Sequence, residues 1–331
     1  MYLKSRCVNV IASAFLILLL QSCATSPQTD LLLLDKNNQT LAHQIKHVPF
    51  YPQQEYFCGP TALSEVLNYY GNNYDPEKLA QEMFIPIKEG SLQIEMVSLT
   101  RRLDYIPYAE KSSLKKLLSW VAQDIPVIVF QNLGLDSLPY WHYAVVIGFD
   151  LNNETISLHT GLSENRQVPM AVFENTWRRS DYWVLTPLPS GKISKDMDPL
   201  TYIQAALDVL RTGDQLVAIN ALKLAHRTWE HNWLASFSLG NHYYDVNLTE
   251  SINWFEASLG RDNNQLAIWN NYLYALEKNG CYEQARSALA CMVRSNNMNA
   301  EFSASILEMT KILNSRTQKP SRQCHAISCF E

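Results

Sequence analysis

The hydrophobic period of this chain changes near residue 187, and that change limits what it can fold into. Upstream, short apolar runs of strand length recur: Pro126–Gln131, Tyr143–Phe149, Glu154–His159 with Ile156 and Leu158 on one face, and Tyr182–Thr186. Before them lie segments of helical period. Pro60–Tyr70 has a proline in its first turn, Leu63, Val66 and Leu67 on a shared face, and Gly71 as its stop. Pro76–Phe84, Ser91–Leu103 and Ser112–Ala122 read as three more helices. After Pro187-Leu-Pro-Ser-Gly191 the strand signals vanish and a helical repeat begins, with Ala218, Ile252 and Ala285 at spacings of 34 and 33 residues. Helices followed by antiparallel strands, then helices alone, predict an α+β domain over 47–189 and an all-α region over 196–314. The 331 residues are 47% hydrophobic, enough for a real core, and the net charge of −5 without a basic block excludes nucleic acid as a partner.

The clearest repeat unit runs Trp269…Tyr272-Leu273…Leu276…Gly280…Ala285…Leu289, preceded by Leu239-Gly240…Tyr243…Ile252 and by a weaker unit over Ala205–Ala225. Its aromatic, small-residue and turn positions resemble tetratricopeptide (TPR) repeats. The resemblance implies a solenoid of helical hairpins whose groove takes a protein partner. Residues 315–331 read as a loosely ordered polar tail.

Lys4 and Arg6 precede the apolar run Val10–Leu20, which is too short to span a bilayer core but fits a secretory signal. Leu20-Gln21-Ser22-Cys23 resembles a bacterial lipobox, which implies a signal peptide over 1–22 and a lipid anchor on Cys23. Residues 23–46 read as a tether, with Leu31–Leu34 as a docked strand. Ala24 after the lipidated cysteine implies, by the sorting rule of Gram-negative lipoproteins, an outer-membrane protein facing the periplasm.

Two segments carry chemistry: Gln53-Gln-Glu-Tyr-Phe-Cys58-Gly-Pro-Thr-Ala-Leu63 and Trp141-His142-Tyr-Ala-Val-Val-Ile-Gly148. Cys58 immediately precedes a predicted helix, where free N–H groups and the helix dipole lower a thiol pKa. His142, 84 residues on, supplies a base, the Cys–His arrangement for nucleophilic acyl transfer. The Cys58 N–H and the Gln53 amide are the expected oxyanion donors, with Gln54 as the rival of Gln53. Trp141 reads as core or pocket wall rather than chemistry, and Asn132 as a turn residue. His43 and His47 lack a third ligand, so no metal or other cofactor is expected. Cys281 and Cys291 fall at helical core positions, with pairing to the tail as the alternative, and Cys324 and Cys329 read as a disulfide or free thiols rather than metal ligands.

The order Gln-x4-Cys-Gly-Pro-x-Ala-Leu, then His-Tyr-x-Val-Val-x-Gly, resembles the papain-like bacteriocin-processing (double-glycine leader) peptidase superfamily, in a lipoprotein branch with C-terminal TPR repeats. The resemblance implies a papain-like fold and a cysteine peptidase acting on a peptide or protein through a thioester. Cys58 would be the nucleophile, His142 the base and acid, and Gln53 the oxyanion donor. The superfamily's usual Asp after the His strand is absent; Thr160 stands nearest its place in Ser157-Leu-His-Thr-Gly161. This leaves open a Cys–His dyad, an orienter elsewhere such as Asp150, or a weakened enzyme. A papain-like acyl or peptidyl transferase, and a non-catalytic adaptor working through its repeats, are the alternative functions.

Overall fold

The computed structural model describes residues 25–36, 39–53, 57–83, 91–295 and 300–316, together with Cys324 and Cys329. The signal segment, Cys23 and Gln54 lie outside the described residues. In chain order the elements are α1 (Pro27–Leu34), β1 (Ala42–Gln44), α2 (Cys58–Tyr69), α3 (Pro76–Met83), α4 (Gln93–Arg102), β2 (Ile106–Lys111) and α5 (Leu114–Val121). Then come β3 (Val127–Asn132), β4 (Trp141–Asp150), β5 (Thr155–Thr160), β6 (Ser163–Pro169), α6 (Met170–Arg178) and β7 (Trp183–Leu188). The remainder is helical: α7 (Pro199–Thr212), α8 (Gln215–Thr228), α9 (Leu234–Tyr243), α10 (Leu248–Leu259), α11 (Leu266–Lys278), α12 (Tyr282–Ser295) and α13 (Ala300–Asn314). No helix among the described residues is long and apolar enough to cross a membrane.

The chain divides into two compact units. The first takes Met1–Gly90 and Lys111–Val184, the second Ser91–Glu110 and Leu185–Glu331. The first unit is built around β4. One edge of this strand pairs with β5, and the other is shared by β3, along Trp141–Val146, and β1, along Gly148–Asp150. All these pairings are antiparallel, and β6 continues the sheet beyond β5. A strand covered on both faces reads as an unbroken apolar run, which is why Ala144–Ile147 shows no alternation and is wholly buried. Gly148 is required where β1 arrives, because a Cβ there would collide with the Gln44 side chain and the His43 carbonyl.

Helix α2 packs against β4, burying Ala62, Leu63, Val66 and Leu67 completely. Full burial of one large aliphatic side chain is worth about 1.5–3 kcal/mol, so this face fixes the helix firmly. Pro60 sits in the first turn, where no helical carbonyl waits for its missing N–H, and Gly71 at φ +94° ends the segment.

Three expectations need correction. The segment expected to be a tether carries α1 and β1, and Leu31–Leu34 is helical, not a strand. Buried Glu174 accepts from the backbone N–H groups of Gln28 (3.0 Å) and Thr29 (2.7 Å) and from the Thr29 hydroxyl (2.7 Å), so a carboxylate satisfies this helix start. Helices and strands are also less segregated than the period suggested. Strand β2 stands before α5, and β6 and α6 arise where no element was expected. The Ser163–Pro169 sequence is polar because this strand is exposed at every position but Val168, which hides its periodicity.

In the second unit, successive helices pack as hairpins, α7 with α8, α9 with α10, α11 with α12. Asp198, Asp214 and Asn247 cap α7, α8 and α10 through side-chain acceptors, each worth about 1 kcal/mol. Ala218, Ile252 and Ala285 are buried in α8, α10 and α12, the second helix of each hairpin. Trp269, Tyr272, Leu273 and Leu276 form the core of the last hairpin. The tail is tied back by two disulfides, Cys281–Cys324 and Cys291–Cys329, with sequence separations of 43 and 38 residues. Loop closure of this length restricts the unfolded chain by about 4 kcal/mol. Replacing Cys324 and Cys329 with serine is expected to lower the urea stability of the helical unit by about 3–5 kcal/mol; an unchanged midpoint would show that the tail adds nothing to it.

Candidate active site

Cys58 is the first residue of α2, which begins two residues before the Pro60 start read from the sequence. Phe57, at the N-cap, provides no side-chain cap. The thiol is half-buried and lies against β4, where it accepts a hydrogen bond from the backbone N–H of Tyr143, the residue after His142. Backbone N–H groups of Gly59 and Cys58 itself also act on the sulfur. These donors favour thiolate, as a helix start should, yet desolvation outweighs them and the thiol is pushed above its ordinary range. The expectation of a lowered pKa is therefore wrong: a helix N-terminus helps an anion, but withdrawal from water costs it more.

His142 is buried on β4, and its Nε2 lies 2.7 Å from the Thr160 hydroxyl on β5. That contact follows from register, since Val145 stands opposite His159 and the next pair along brings Thr160 towards the start of β4. Burial, aided by the charge of Arg166, pushes His142 down to about 4. At neutral pH the imidazole is thus neutral, and the raised thiol is protonated. Asp150, the alternative orienter, is excluded. It lies at the opposite end of the ten-residue strand, and its carboxylate accepts from the N–H groups of Asn152 and Asn153 in the following turn.

Gln53 is locked to the turn after Thr160. Its N–H donates to the Gly161 carbonyl and its Oε1 accepts from the Gly161 N–H, both at 3.0 Å. Gly161 has φ +57°, a left-handed conformation that glycine adopts without strain. These two bonds fix the amide, and its buried Nε2 has no hydrogen-bond partner among the described residues. An unpaired buried donor costs about 1–3 kcal/mol, a cost recovered when an anion arrives.

The β3–β4 connection leads directly into the His142 strand. Asn132 Oδ1 accepts from the N–H groups of Gly134 and Tyr140 (both 2.9 Å), and Arg179 donates to the carbonyls of Asn132 and Gly134. The loop so fixed presents Leu135, Leu138 and Tyr140 to solvent, beside Trp141, which stacks on Phe130 with ring centroids 5.0 Å apart. Asn132 is a turn builder, and Trp141 is exposed rather than core. Among the described residues no group of three or more His, Cys, Asp or Glu could hold a metal ion.

Two site-region residues escaped sequence reasoning. Glu65 and His159 are both fully buried, and Glu65 Oε2 lies 3.4 Å from His159 Nδ1. The signal was present: Glu65 interrupts the apolar face of Leu63–Leu67, where an acid needs a partner.

Residues 45–183 match the model of the Peptidase_C39 like family. No curated protein matches the chain. Among solved structures it is similar to a C39-like peptidase candidate from Bacillus anthracis, at 20% identity and TM-score 0.39, over 46% of this chain and 98% of that one. It is also similar to the peptidase domain of Streptococcus ComA, a bi-functional ABC transporter involved in a quorum-sensing pathway (23%, TM-score 0.36, 43% and 99%). A third is a double glycine motif protease from an AMS/PCAT transporter in complex with the leader peptide (20%, TM-score 0.35, 44% and 94%).

His142 also makes folding pH-dependent. Its neutral form is favoured in the folded state, so the stability it contributes is present above about pH 6.5 and is lost as pH falls towards 4. A depression from 6.5 to about 4 corresponds to about 3 kcal/mol. Urea unfolding at pH 7 and pH 4.5 is expected to show a larger acid-induced loss in the wild type than in His142→Gln; equal losses would mean that the imidazole is accessible to protons.

Proposed function

We propose that this chain is a cysteine peptidase cleaving a peptide or protein substrate. The observation that carries the reading is the buried Nε2 of Gln53, unpaired among the described residues and held rigidly by Gly161. A donor left unsatisfied in a folded protein suits a site where negative charge develops only during reaction. The match of residues 45–183 to a peptidase family supports it.

The mechanism follows from the groups present. With Nε2–H donating to Thr160 Oγ1, the lone pair of His142 resides on Nδ1, which accepts the Cys58 proton as sulfur attacks the scissile carbonyl. The C–S bond forms, and the carbonyl electrons move to oxygen, stabilised by Gln53 Nε2–H and the Cys58 N–H. The imidazolium then protonates the leaving amine as the C–N bond breaks, leaving a thioester. Water, deprotonated by the same Nδ1, hydrolyses the thioester and regenerates the thiol. Thr160 orients the ring without a charge to support imidazolium, so turnover is slower than an acid in that place would allow. The exposed apolar residues of the β3–β4 loop receive substrate side chains.

A peptide library incubated with the purified protein tests this. Wild type cleaves, Cys58→Ala does not, and Gln53→Ala lowers kcat by about 10²–10³-fold with a smaller change in KM. Cleavage that survives in Cys58→Ala would sink the reading.

We also infer that the protein is an exported lipoprotein held at the outer membrane by acyl chains on Cys23, with the helical hairpins as TPR-like repeats that bind a protein partner. The lipobox-like sequence and two disulfides, which persist in oxidising compartments, support export. Labelled palmitate is expected in the wild type and not in Cys23→Ser; equal labelling would remove the anchor.

A further inference from the structure

The site groups come from three separate segments, and one buried pair joins all three. Glu65 lies on α2, seven residues or about 10 Å along the helix from Cys58. Its Oε1 accepts from the backbone N–H of Tyr51 at 3.1 Å, two residues before Gln53. Its Oε2 faces Nδ1 of His159, the residue before Thr160, at 3.4 Å, too loosely aligned for a hydrogen bond, and neither of these two atoms has a hydrogen-bond partner among the described residues. The His159 ring is held edge-on by Phe50, centroids 5.2 Å apart. Glu65 thus joins the nucleophile's helix to the oxyanion segment and to the strand that orients the base.

We propose that Glu65 and His159 are positioning residues for this site: their buried pairing sets β5 against α2, so that Thr160 meets His142 Nε2 and Gly161 meets Gln53. The inference rests on the peptidase reading for its purpose, though not for its geometry. A buried acid–imidazole pair is a poor stabiliser, since an apolar pair of similar volume packs as well or better. What it adds is direction. A leucine at either position could fill the space but would let α2, the Tyr51 segment and β5 slide relative to one another. Two titratable groups act on Glu65: His159 of β5, and Glu164 of β6 at longer range, while desolvation pushes its carboxyl up.

The test reads His142 directly, by ¹⁵N NMR of the histidine-labelled full chain above pH 5, with melting temperature recorded beside it. Wild type should show one tautomer, protonated at Nε2. Glu65→Gln, which keeps an acceptor for Tyr51 and a partner for His159, should retain it. Glu65→Leu with His159→Leu should fold yet give a mixed tautomer, and so should His159→Phe, which keeps a ring against Phe50 and serves if the leucine pair does not fold. On any peptide the wild type cleaves, the leucine pair should lower kcat about tenfold while KM stays within about twofold. A mixed tautomer in the wild type, or an unchanged tautomer in the folded leucine pair or in folded His159→Phe, overturns the proposal. Absence of cleavage by the wild type would instead remove the peptidase reading, and the tautomer would still decide whether the pair positions His142.

Discussion

The reciprocal hydrogen bonds between Gln53 and Gly161 are the constraint on which the site depends. They use the backbone N–H and the side-chain oxygen of one residue to grip both polar groups of another, 108 residues away. Everything else then has one place to be. Gln53 is pinned to the turn after β5, and its amide nitrogen, unpaired among the described residues, has no freedom to find a weaker partner. Close packing is also why the electrostatics run against the simplest expectation. A site dry enough to hold an unpaired amide is dry enough to penalise a thiolate and an imidazolium, and helix dipoles at one terminus do not offset that loss of water.

Much of this was legible in the sequence, because motifs of this kind are packing statements as well as chemical ones. Pro60 and Gly71 bracket α2, the unbroken Ala144–Ile147 run marks a strand covered on both faces, and the last glycine of the His-Tyr motif marks where another strand must come close. The helical unit was readable through Ala218, Ile252 and Ala285, since small or branched residues recur where hairpins touch. Thr160 was located by its place in the strand, although the chain offers a hydroxyl where an acid was expected.

What escaped reading was decided by partners distant in sequence. Helix α1 is marked by little more than Pro27, and its start is completed by Glu174, 145 residues away. Strand β6 is polar because it is exposed, so it has no apolar period. Asp150 has the residue type of an orienter and the wrong end of the strand. The thiol's shift depends on how much water survives around Cys58, a property of the assembled core that no spacing encodes.

The raised thiol pKa has a consequence for how the chain acquires its covalent structure. Thiol–disulfide exchange proceeds through thiolate, so a buried, protonated sulfur is a slow participant. Four cysteines of the helical unit must find two specific partners during oxidation. Once α2 has docked on β4, Cys58 is withdrawn from that competition: the desolvation that raises its thiol also makes it a slow partner for a wrong crosslink.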